Sequence, residues 1–331
     1  MYYITCIAGT ENIVSDFLLE DFKGLSVSKV MSGSLIIETN NDSLDFEKIP
    51  YINNAFRIIF KSNDTNINSF INKTASFKKS YGITPTRNKT YRVIVSRLNQ
   101  LIKSDNRNIK TIQQRIEKES GMKLYPHKPD VEFWILKRSE NVCFFMQRLF
   151  KHKSFDKTLD KGQLRADICY IMVRLSSPNA TDIVLEPFFG SGALLISRIR
   201  YGGYKMIFAN EIMEDKVNAV KAKYKNIRKK AIVKKADSLN MEFVKEGFIH
   251  KILADPPWGD YDNNMDVNDF YNKMFLEFAR VLKSDGVIIM LTARKDEVEA
   301  IIHKSDILIV KDKYDILLSG KKAGLYKIIK Q

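Results

Sequence analysis

The carboxyl-terminal half of the sequence alternates between short apolar runs and amphipathic segments of helical spacing, which restricts the fold more than any other feature. The apolar runs predict strands at residues 182–186, 206–211, 231–234, 251–254, 286–291 and 307–310. The helical spacing predicts helices at residues 192–200, 215–227, 267–282 and 295–302. Strands that alternate with helices form a mostly parallel sheet covered on both faces. We therefore predict an α/β chain whose Rossmann-like domain occupies residues 156–331.

The end of the chain predicts a β-hairpin. Two β-rich runs, 315–318 and 325–330, are separated by Ser-Gly-Lys-Lys at residues 319–322. A short polar turn that contains glycine commonly joins antiparallel strands. The hairpin would place one antiparallel strand in the otherwise parallel sheet.

The first 155 residues predict two smaller α+β units. In residues 1–60, alternation and helical spacing predict a strand at 2–8, a helix at 13–22 and a strand at 35–39. After a polar connector, residues 61–155 predict a strand at 91–96, a basic helix at 110–118 and strands at 131–136 and 142–149. A turn at 137–141 would join the last two strands as a hairpin. The predicted domains are thus 1–60, 61–155 and 156–331.

Positive charge is concentrated in the second of these segments. The chain carries a formal charge of +15, of which residues 61–155 contribute +13 from 20 Lys and Arg against 7 Asp and Glu. Residues 1–60 contribute −4 and residues 156–331 contribute +6. Such a basic segment favours a polyanionic partner, while a solvated lysine-rich surface remains the alternative.

Other classes of protein are disfavoured by what the sequence lacks. The amino-terminal residues do not have the pattern of a secretory signal, and no apolar run is long enough to span a bilayer. The three cysteines are far apart and without CxxC spacing, which suits a reducing compartment and argues against a metal site. We expect a cytoplasmic protein without a bound metal, and a monomer in preference to an oligomer.

A glycine loop and three acidic residues follow successive predicted strands. Residues 186–192 read Glu-Pro-Phe-Phe-Gly-Ser-Gly, and glycines there let the backbone approach a ligand closely, as nucleotide-binding loops do at this edge of a doubly wound sheet. A tight structural turn is the alternative. The three acidic residues suit a cationic nucleoside ligand: an amino acid end, ribose hydroxyls and an adenine amine, in that order. They are Glu186, Glu211 and Asp237.

A rigid loop follows the fourth strand, where residues 255–258 read Asp-Pro-Pro-Trp. Pro256 and Pro257 fix the backbone and remove two N–H donors, which leaves carbonyl oxygens available. The Asp255 carboxylate and the Pro256 carbonyl could accept both hydrogens of a planar NH2 group, while Trp258 stacks on its ring. Holding an amine in line with an electrophile raises its reactivity. We predict these four residues to be catalytic.

These motifs, in this order, resemble those of the class I amino-methyltransferases, and residues 161–168 resemble the leader of the THUMP-containing guanosine N2-methyltransferases. Residues 128–135 resemble the Pro-Asp strand of a THUMP domain, and residues 1–60 its ferredoxin-like neighbour. The resemblance implies S-adenosylmethionine as cofactor and a guanine at tRNA position 10 or 6 as target. The family usually has Asp at position 186 and Tyr at position 258.

The sequence and the resemblance together define the candidate residues. The predicted cofactor-binding residues are Glu186, Phe188, Gly190, Ser191, Gly192, Glu211, Ile212, Asp237, Ser238 and Asp255. The candidate RNA contacts are Arg87, Lys89, Arg92, Lys110, Arg115, Lys118 and Lys123. Three alternatives stay open: methylation of ribosomal RNA, methylation of an adenine amine in RNA or DNA, and RNA binding by an inactive methyltransferase fold.

Overall fold

The computed structural model describes residues 1–40, 44–86, 88–103, 107–152, 159, 162–224, 226–227, 230–259 and 266–331. They form two compact units. Unit 1 comprises Met1–Cys6 and Val14–His152, and unit 2 comprises Ile7–Ile13 and Lys153–Gln331. The predicted boundary between residues 155 and 156 lies outside the described residues, so the division into three domains stays a prediction.

Unit 1 is built on one nine-stranded sheet. Its strands are β1 (Tyr2–Thr5), β2 (Leu25–Met31), β3 (Ser34–Thr39), β4 (Asn54–Ser62), β5 (Thr90–Arg97), β6 (Gln100–Ile102), β7 (Lys123–Leu124), β8 (Val131–Lys137) and β9 (Cys143–Lys151). The order is β2-β3-β1-β4-β9-β8-β5-β6, with β7 paired to β5. Antiparallel pairing of β8 with β9 confirms the predicted hairpin. The sequence patterns did not predict β2, β4, β6 or β7.

The helices associated with this part of the chain are α1 (Glu11–Asp21), α2 (Ile67–Ala75) and α3 (Arg107–Ser120). Helix α3 buries Ile109, Ile112 and Ile116, which recur at helical spacing on one face. They pack with Phe70 and Phe133 in an apolar cluster of unit 1. Lys110 and Lys118, two of the basic residues of α3 that the sequence singled out, are exposed.

Unit 2 has the predicted Rossmann-like architecture. Its strands are β10 (Ile183–Glu186), β11 (Met206–Glu211), β12 (Ile232–Lys235), β13 (Ile249–Ala254), β14 (Leu282–Thr292), β15 (Leu308–Leu318) and β16 (Lys321–Lys330). They lie in the order β12-β11-β10-β13-β14-β16-β15. The first five are parallel, and β16 runs antiparallel to both β14 and β15.

The helices of unit 2 cover this sheet and position its loops. They are α4 (Ala166–Leu175), α5 (Ala193–Tyr201), α6 (Glu214–Lys223), α7 (Val267–Val281) and α8 (Lys295–His303). Helix α7 begins at the N-cap Asp266, whose side chain accepts a hydrogen bond from the backbone of Asp269 at 3.0 Å. Its buried residues Tyr271, Met274 and Phe278 join the apolar core beneath β13 and β14.

Two details of the chain's ends differ from the prediction. The runs at 307–310 and 315–318 belong to a single strand, β15, because Lys313 and its neighbours continue the pairing with β16 after a register shift between Val310 and Asp312. The strand predicted at 2–8 ends at Thr5. The following segment pairs with β15 instead, through a bridge between Ala8 and Leu317. No helix within the described ranges is both long and apolar enough to cross a membrane.

Candidate active site

A cavity of about 510 Å³ opens in unit 2 where the loops after the parallel strands meet. Because the carboxyl ends of parallel strands share one edge of the sheet, residues far apart in sequence meet there. The predicted cofactor and catalytic residues that line it are Glu186, Phe188, Gly190, Ser191, Glu211, Ile212, Asp237, Ser238, Asp255, Pro256, Pro257 and Trp258. Gly192 lies behind this lining, at the start of α5.

The glycine loop is a tight turn that also packs closely against a neighbouring helix. The Gly192 amide donates to the Phe189 carbonyl at 2.7 Å, and the Phe189 amide donates to the Asn210 carbonyl at 3.1 Å. Gly192 has a φ of 79°, and a Cβ there would lie 3.1 Å from Cγ2 of Val220 on α6. Gly192 therefore serves the turn, while Gly190 and Ser191 line the cavity. Ligand binding by this loop stays a prediction.

Glu211, at the end of β11, links two loops of the cavity. Its Oε2 accepts a hydrogen bond from the Gly190 amide and its Oε1 one from the Met213 amide, each at 3.0 Å. The side chain is buried, with 8% exposure. Each carboxylate oxygen can accept a further hydrogen bond, so Glu211 can both fix the loops and receive the two hydroxyls of a ribose.

The segment after β12 places its polar residues differently. The Ser238 hydroxyl is buried and donates to the Pro187 carbonyl, which ties this segment to the glycine loop. Asp237 is exposed, and its Oδ1 accepts the Leu239 amide at 2.9 Å. Ile212, which follows the neighbouring strand β11, lines the same cavity and is 62% exposed. Asp237 thus retains acceptor capacity at the cavity, whereas Ser238 contributes mainly to its framework.

Glu186 is a buried carboxyl group that receives a hydrogen bond from the Leu195 backbone. It is 2% exposed, and within the described part of the chain its Oε2 has no hydrogen-bond partner. Burial, with the nearby Asp255 carboxylate as a further cause, raises the pKa of Glu186 well above its usual range. A buried carboxyl group that faces a cavity and has an unsatisfied oxygen fits a cationic amine of a ligand.

The Asp255–Trp258 segment forms the other end of the site. Burial raises the pKa of Asp255 to about 7, and a hydrogen bond from the Trp258 indole acts in the opposite direction. That bond joins Nε1 of Trp258 to Oδ1 of Asp255 at 3.2 Å. Tyr271 supports the loop by donating to the Pro257 carbonyl at 3.3 Å, and Arg294 donates to the Trp258 carbonyl. The loop is therefore held by Tyr271 and Arg294, and all four of its residues line the cavity.

The cavity also includes residues that the sequence patterns did not single out as site residues. Residues 162–164 form part of the wall. In the sequence they were noted only because residues 161–168 resemble the leader segment of a methyltransferase family. The hairpin turn contributes Leu318, Ser319 and Lys321. Phe270 of α7 adds an aromatic ring next to Phe188, with 5.9 Å between centroids. The hairpin lies directly beside β14, through β16, and this position becomes apparent only once the strand order is known.

The candidate RNA contacts lie in unit 1 and divide into two groups. Lys89, Lys110, Lys118 and Lys123 are exposed. Arg115 instead donates to Glu119 at 2.9 Å and to the Phe77 and Lys79 carbonyls, and it covers the Tyr81 ring.

Arg92 is also engaged within unit 1: it pairs with Glu132 at 2.5 Å and donates to the Pro126 carbonyl at 3.2 Å. The guanidinium groups of Arg92 and Arg115 are thus both engaged within unit 1, and their contact with RNA stays a prediction. Arg87 lies outside the described residues.

Comparison with known proteins agrees with the geometry of unit 2. Residues 155–316 match the RMKL-like methyltransferase domain family. A "Probable tRNA (guanine(10)-N2)-dimethyltransferase" of Methanothermococcus thermolithotrophicus is 29% identical over 150 residues, which are 40% of this chain and 89% of that protein.

Solved structures resemble the whole chain. TrmN from Thermus thermophilus superposes with a TM-score of 0.77 at 15% identity, covering 100% of this chain and 99% of that one. SMU.472, solved with S-adenosylhomocysteine (SAH), gives a TM-score of 0.71 at 13% identity, covering 100% and 98%. At these identities the likeness establishes the fold.

The fold and the family match identify the chain as an S-adenosylmethionine-dependent methyltransferase. Its residues 155–316 match the RMKL-like methyltransferase domain, and the THUMP-like nature of the preceding residues stays a prediction.

Proposed function

We propose that this methyltransferase modifies the exocyclic N2 amine of a guanosine in structured RNA, and that the RNA is tRNA, at position 10 or 6. The observation that carries the proposal is the placement of Asp255 and Pro256 in the same cavity as the glycine loop and Glu211. A planar amine held by these two acceptors lies beside the cofactor-binding loops. The same cavity can thus hold both reactants.

Three acidic residues would hold the cofactor. The Glu186 carboxyl group would take its ammonium group, Glu211 its ribose hydroxyls and Asp237 its adenine amine. Phe188 and Ile212 would contact its apolar surfaces, since both line the cavity. When bound, S-adenosylmethionine supplies an electrophilic methyl group attached to a sulfonium.

The chain's own part in the reaction is to orient the amine and remove its proton. The Asp255 carboxylate and the Pro256 carbonyl accept hydrogen bonds from the two N–H groups, which aligns the nitrogen for in-line attack. The nitrogen held in this way would receive the methyl group that the bound cofactor would supply, with the thioether as the leaving group. The nitrogen then loses one proton, and the Asp255 carboxylate, whose pKa is raised to about 7, can receive it.

The choice of RNA rests on charge and on the relatives. Residues 61–155 carry +13, and the exposed lysines of unit 1 can neutralise phosphates. The relative of Methanothermococcus thermolithotrophicus is named for guanine 10 of tRNA. Since tRNA is matured and used in the cytoplasm, we propose that compartment as the site of action, with a monomer as the active form.

A second candidate is methylation of an adenine amine, and Trp258 favours it. The sequence Asp-Pro-Pro-Trp is shared with some adenine methyltransferases, whereas the guanosine enzymes that this chain resembles usually have Tyr at position 258. Both bases offer a planar NH2 group to the same two acceptors. The basic unit 1 favours RNA over DNA for either base.

The test of the proposed substrate uses transfer of a labelled methyl group. The purified protein is incubated with tritiated S-adenosylmethionine and, in separate reactions, with unmodified tRNA, unmodified ribosomal RNA and duplex DNA. Label in tRNA alone supports the proposal. Label in ribosomal RNA or DNA but not in tRNA contradicts it, and no label in any reaction supports the inactive fold.

A further inference from the structure

We propose that Lys321, at the β15–β16 turn, is a positioning residue that binds the backbone phosphate of the target nucleotide and thereby places its base against Trp258. This inference rests on the proposed function, because it assumes a nucleotide substrate. The residues proposed to hold the cofactor and the reacting amine lie outside the hairpin turn, so the proposed function gives this turn no role.

The register of the hairpin directs Lys321 toward the site. Leu318 pairs with Lys321 and Leu317 pairs with Lys322. Paired residues of an antiparallel hairpin lie on the same face, and neighbouring pairs lie on opposite faces. Leu318 is 7% exposed and lines the cavity with Lys321, whereas Leu317 is 49% exposed on the other face. Lys322 is therefore a natural control for Lys321.

Lys321 lies at the substrate end of the cavity. Its Nζ is 5.9 Å from the centroid of the Trp258 ring, within the range of a cation–π contact. Two of the described residues that line the cavity are cations, Lys321 and Lys216. Lys216 belongs to α6, next to the loop after β11 that would receive the nucleoside part of the cofactor. Lys321 is therefore the cavity cation on the Trp258 side.

A target base needs an anion-binding group beside its pocket. A base that reacts with an enzyme leaves its stack and enters the site with its sugar and phosphate attached. If Trp258 stacks on the base, the phosphate lies at the mouth of the cavity. Asp255 and Glu186 are both acidic and would repel it, so a cation at this mouth supplies the attraction that these residues cannot.

The amino-terminal segment Ile7–Ile13 fixes the strand that carries the turn. The Leu317 amide donates to the Ala8 carbonyl at 2.9 Å. Gly9 has a φ of 94°, and a Cβ there would lie 2.0 Å from the Asp315 carbonyl oxygen. The segment and β15 are in such close contact that only glycine fits. A turn anchored in this way can hold Lys321 at a defined place, which a positioning role requires.

The test compares Lys321→Ala with the control Lys322→Ala in the full-length protein. We expect Lys321→Ala to lower kcat/KM for RNA about tenfold, the loss of one charge-assisted hydrogen bond, with KM for S-adenosylmethionine unchanged. The salt slope of RNA affinity should fall by about one. Lys322→Ala should change neither quantity, and Lys321→Arg should restore most of the activity. Thermal unfolding of each variant checks that the hairpin is intact, and Lys321→Gln replaces the alanine variant if that variant does not fold.

The outcomes separate this inference from the proposed function. If wild-type protein methylates RNA and Lys321→Ala behaves as Lys322→Ala does, this inference is overturned and the proposed function stands. A larger effect of Lys321→Ala on cofactor KM than on RNA also overturns it. If wild-type protein methylates no RNA, the proposed function and this inference are both overturned.

Discussion

Trp258 and Asp255 are joined within the catalytic loop by a hydrogen bond from indole Nε1 to carboxylate Oδ1 at 3.2 Å. The bond occupies one oxygen and leaves the other to accept the substrate amine. It also holds the indole ring beside the carboxylate, so that the stacking surface and the acceptor have a fixed relative position. A tyrosine at position 258, usual in the family that this chain resembles, has no N–H to make this bond.

This bond predicts a particular pH dependence. Burial raises the pKa of Asp255 to about 7, and the hydrogen bond from Trp258 opposes this upward shift. The ionised form accepts the amine, so kcat/KM for RNA should fall as the pH drops through about 7, the pKa of Asp255 in the free protein. Trp258→Phe keeps an aromatic ring but removes the donor, which raises the pKa further and moves this limb to higher pH. Measurements of kcat/KM for RNA from pH 5.5 to 9 test this; identical profiles for the two proteins would refute the role of the indole.

Glu186 predicts proton release when the cofactor binds. Burial raises its pKa well above the usual range, so its neutral form persists to higher pH than that of an ordinary carboxyl group. A cationic ammonium group beside it favours the ionised form, and affinity for S-adenosylmethionine should therefore rise with pH. Calorimetry in two buffers of different ionisation enthalpy measures the proton released. Glu186→Gln should release none and bind about tenfold or more weakly; equal proton release by the two proteins would exclude Glu186.

Glu211 predicts a defect confined to the cofactor. Glu211→Ala removes the acceptor for the Gly190 and Met213 amides and, on the proposed role, two ribose contacts. Charged hydrogen bonds are worth about 1.5–3 kcal/mol each, so KM for S-adenosylmethionine should rise at least tenfold and KM for RNA much less. Steady-state kinetics with each substrate varied in turn measure both constants. Unchanged cofactor KM would show that the carboxylate serves only the loops.

The exposed lysines of unit 1 predict the salt dependence of RNA binding. Deleting residues 1–155 would also remove Ile7–Ile13, which belongs to unit 2, so charge reversal in the full chain is the cleaner change. Lys118→Glu with Lys123→Glu should weaken tRNA binding and lower its salt slope by about two. Lys23→Glu, an equal change at another exposed lysine of unit 1, is the control for each single reversal. If all three reversals acted alike, unit 1 would attract RNA only through its net charge.

Much of unit 2 could be predicted because its central strands are largely buried. Strand β10 is buried throughout, and β13 ends in the buried apolar residues 252–254. The loops that follow parallel strands must meet at one edge. Glu186, Glu211 and the Asp255 loop were therefore predicted from the sequence alone to lie close together. Strand β4 was missed because its polar and apolar residues do not alternate regularly.

Other features depend on contacts between distant parts of the sequence. Arg115 was assigned to RNA because it lies on a basic helix, but its guanidinium reaches the Phe77 and Lys79 carbonyls. Nothing local to Arg115 indicates those partners. Lys321 lies at the site because β16 pairs with β14, and the sequence did not predict that pairing.

The identity of the methylated atom is the most direct test of the proposed function. Unmodified tRNA is treated with the protein and S-adenosylmethionine carrying a trideuterated methyl group, then digested to nucleosides and analysed by mass spectrometry. The proposed function predicts label in N2-methylguanosine or N2,N2-dimethylguanosine, and at least a hundredfold less label with Asp255→Ala. Label in N6-methyladenosine instead, or undiminished label with Asp255→Ala, would contradict it.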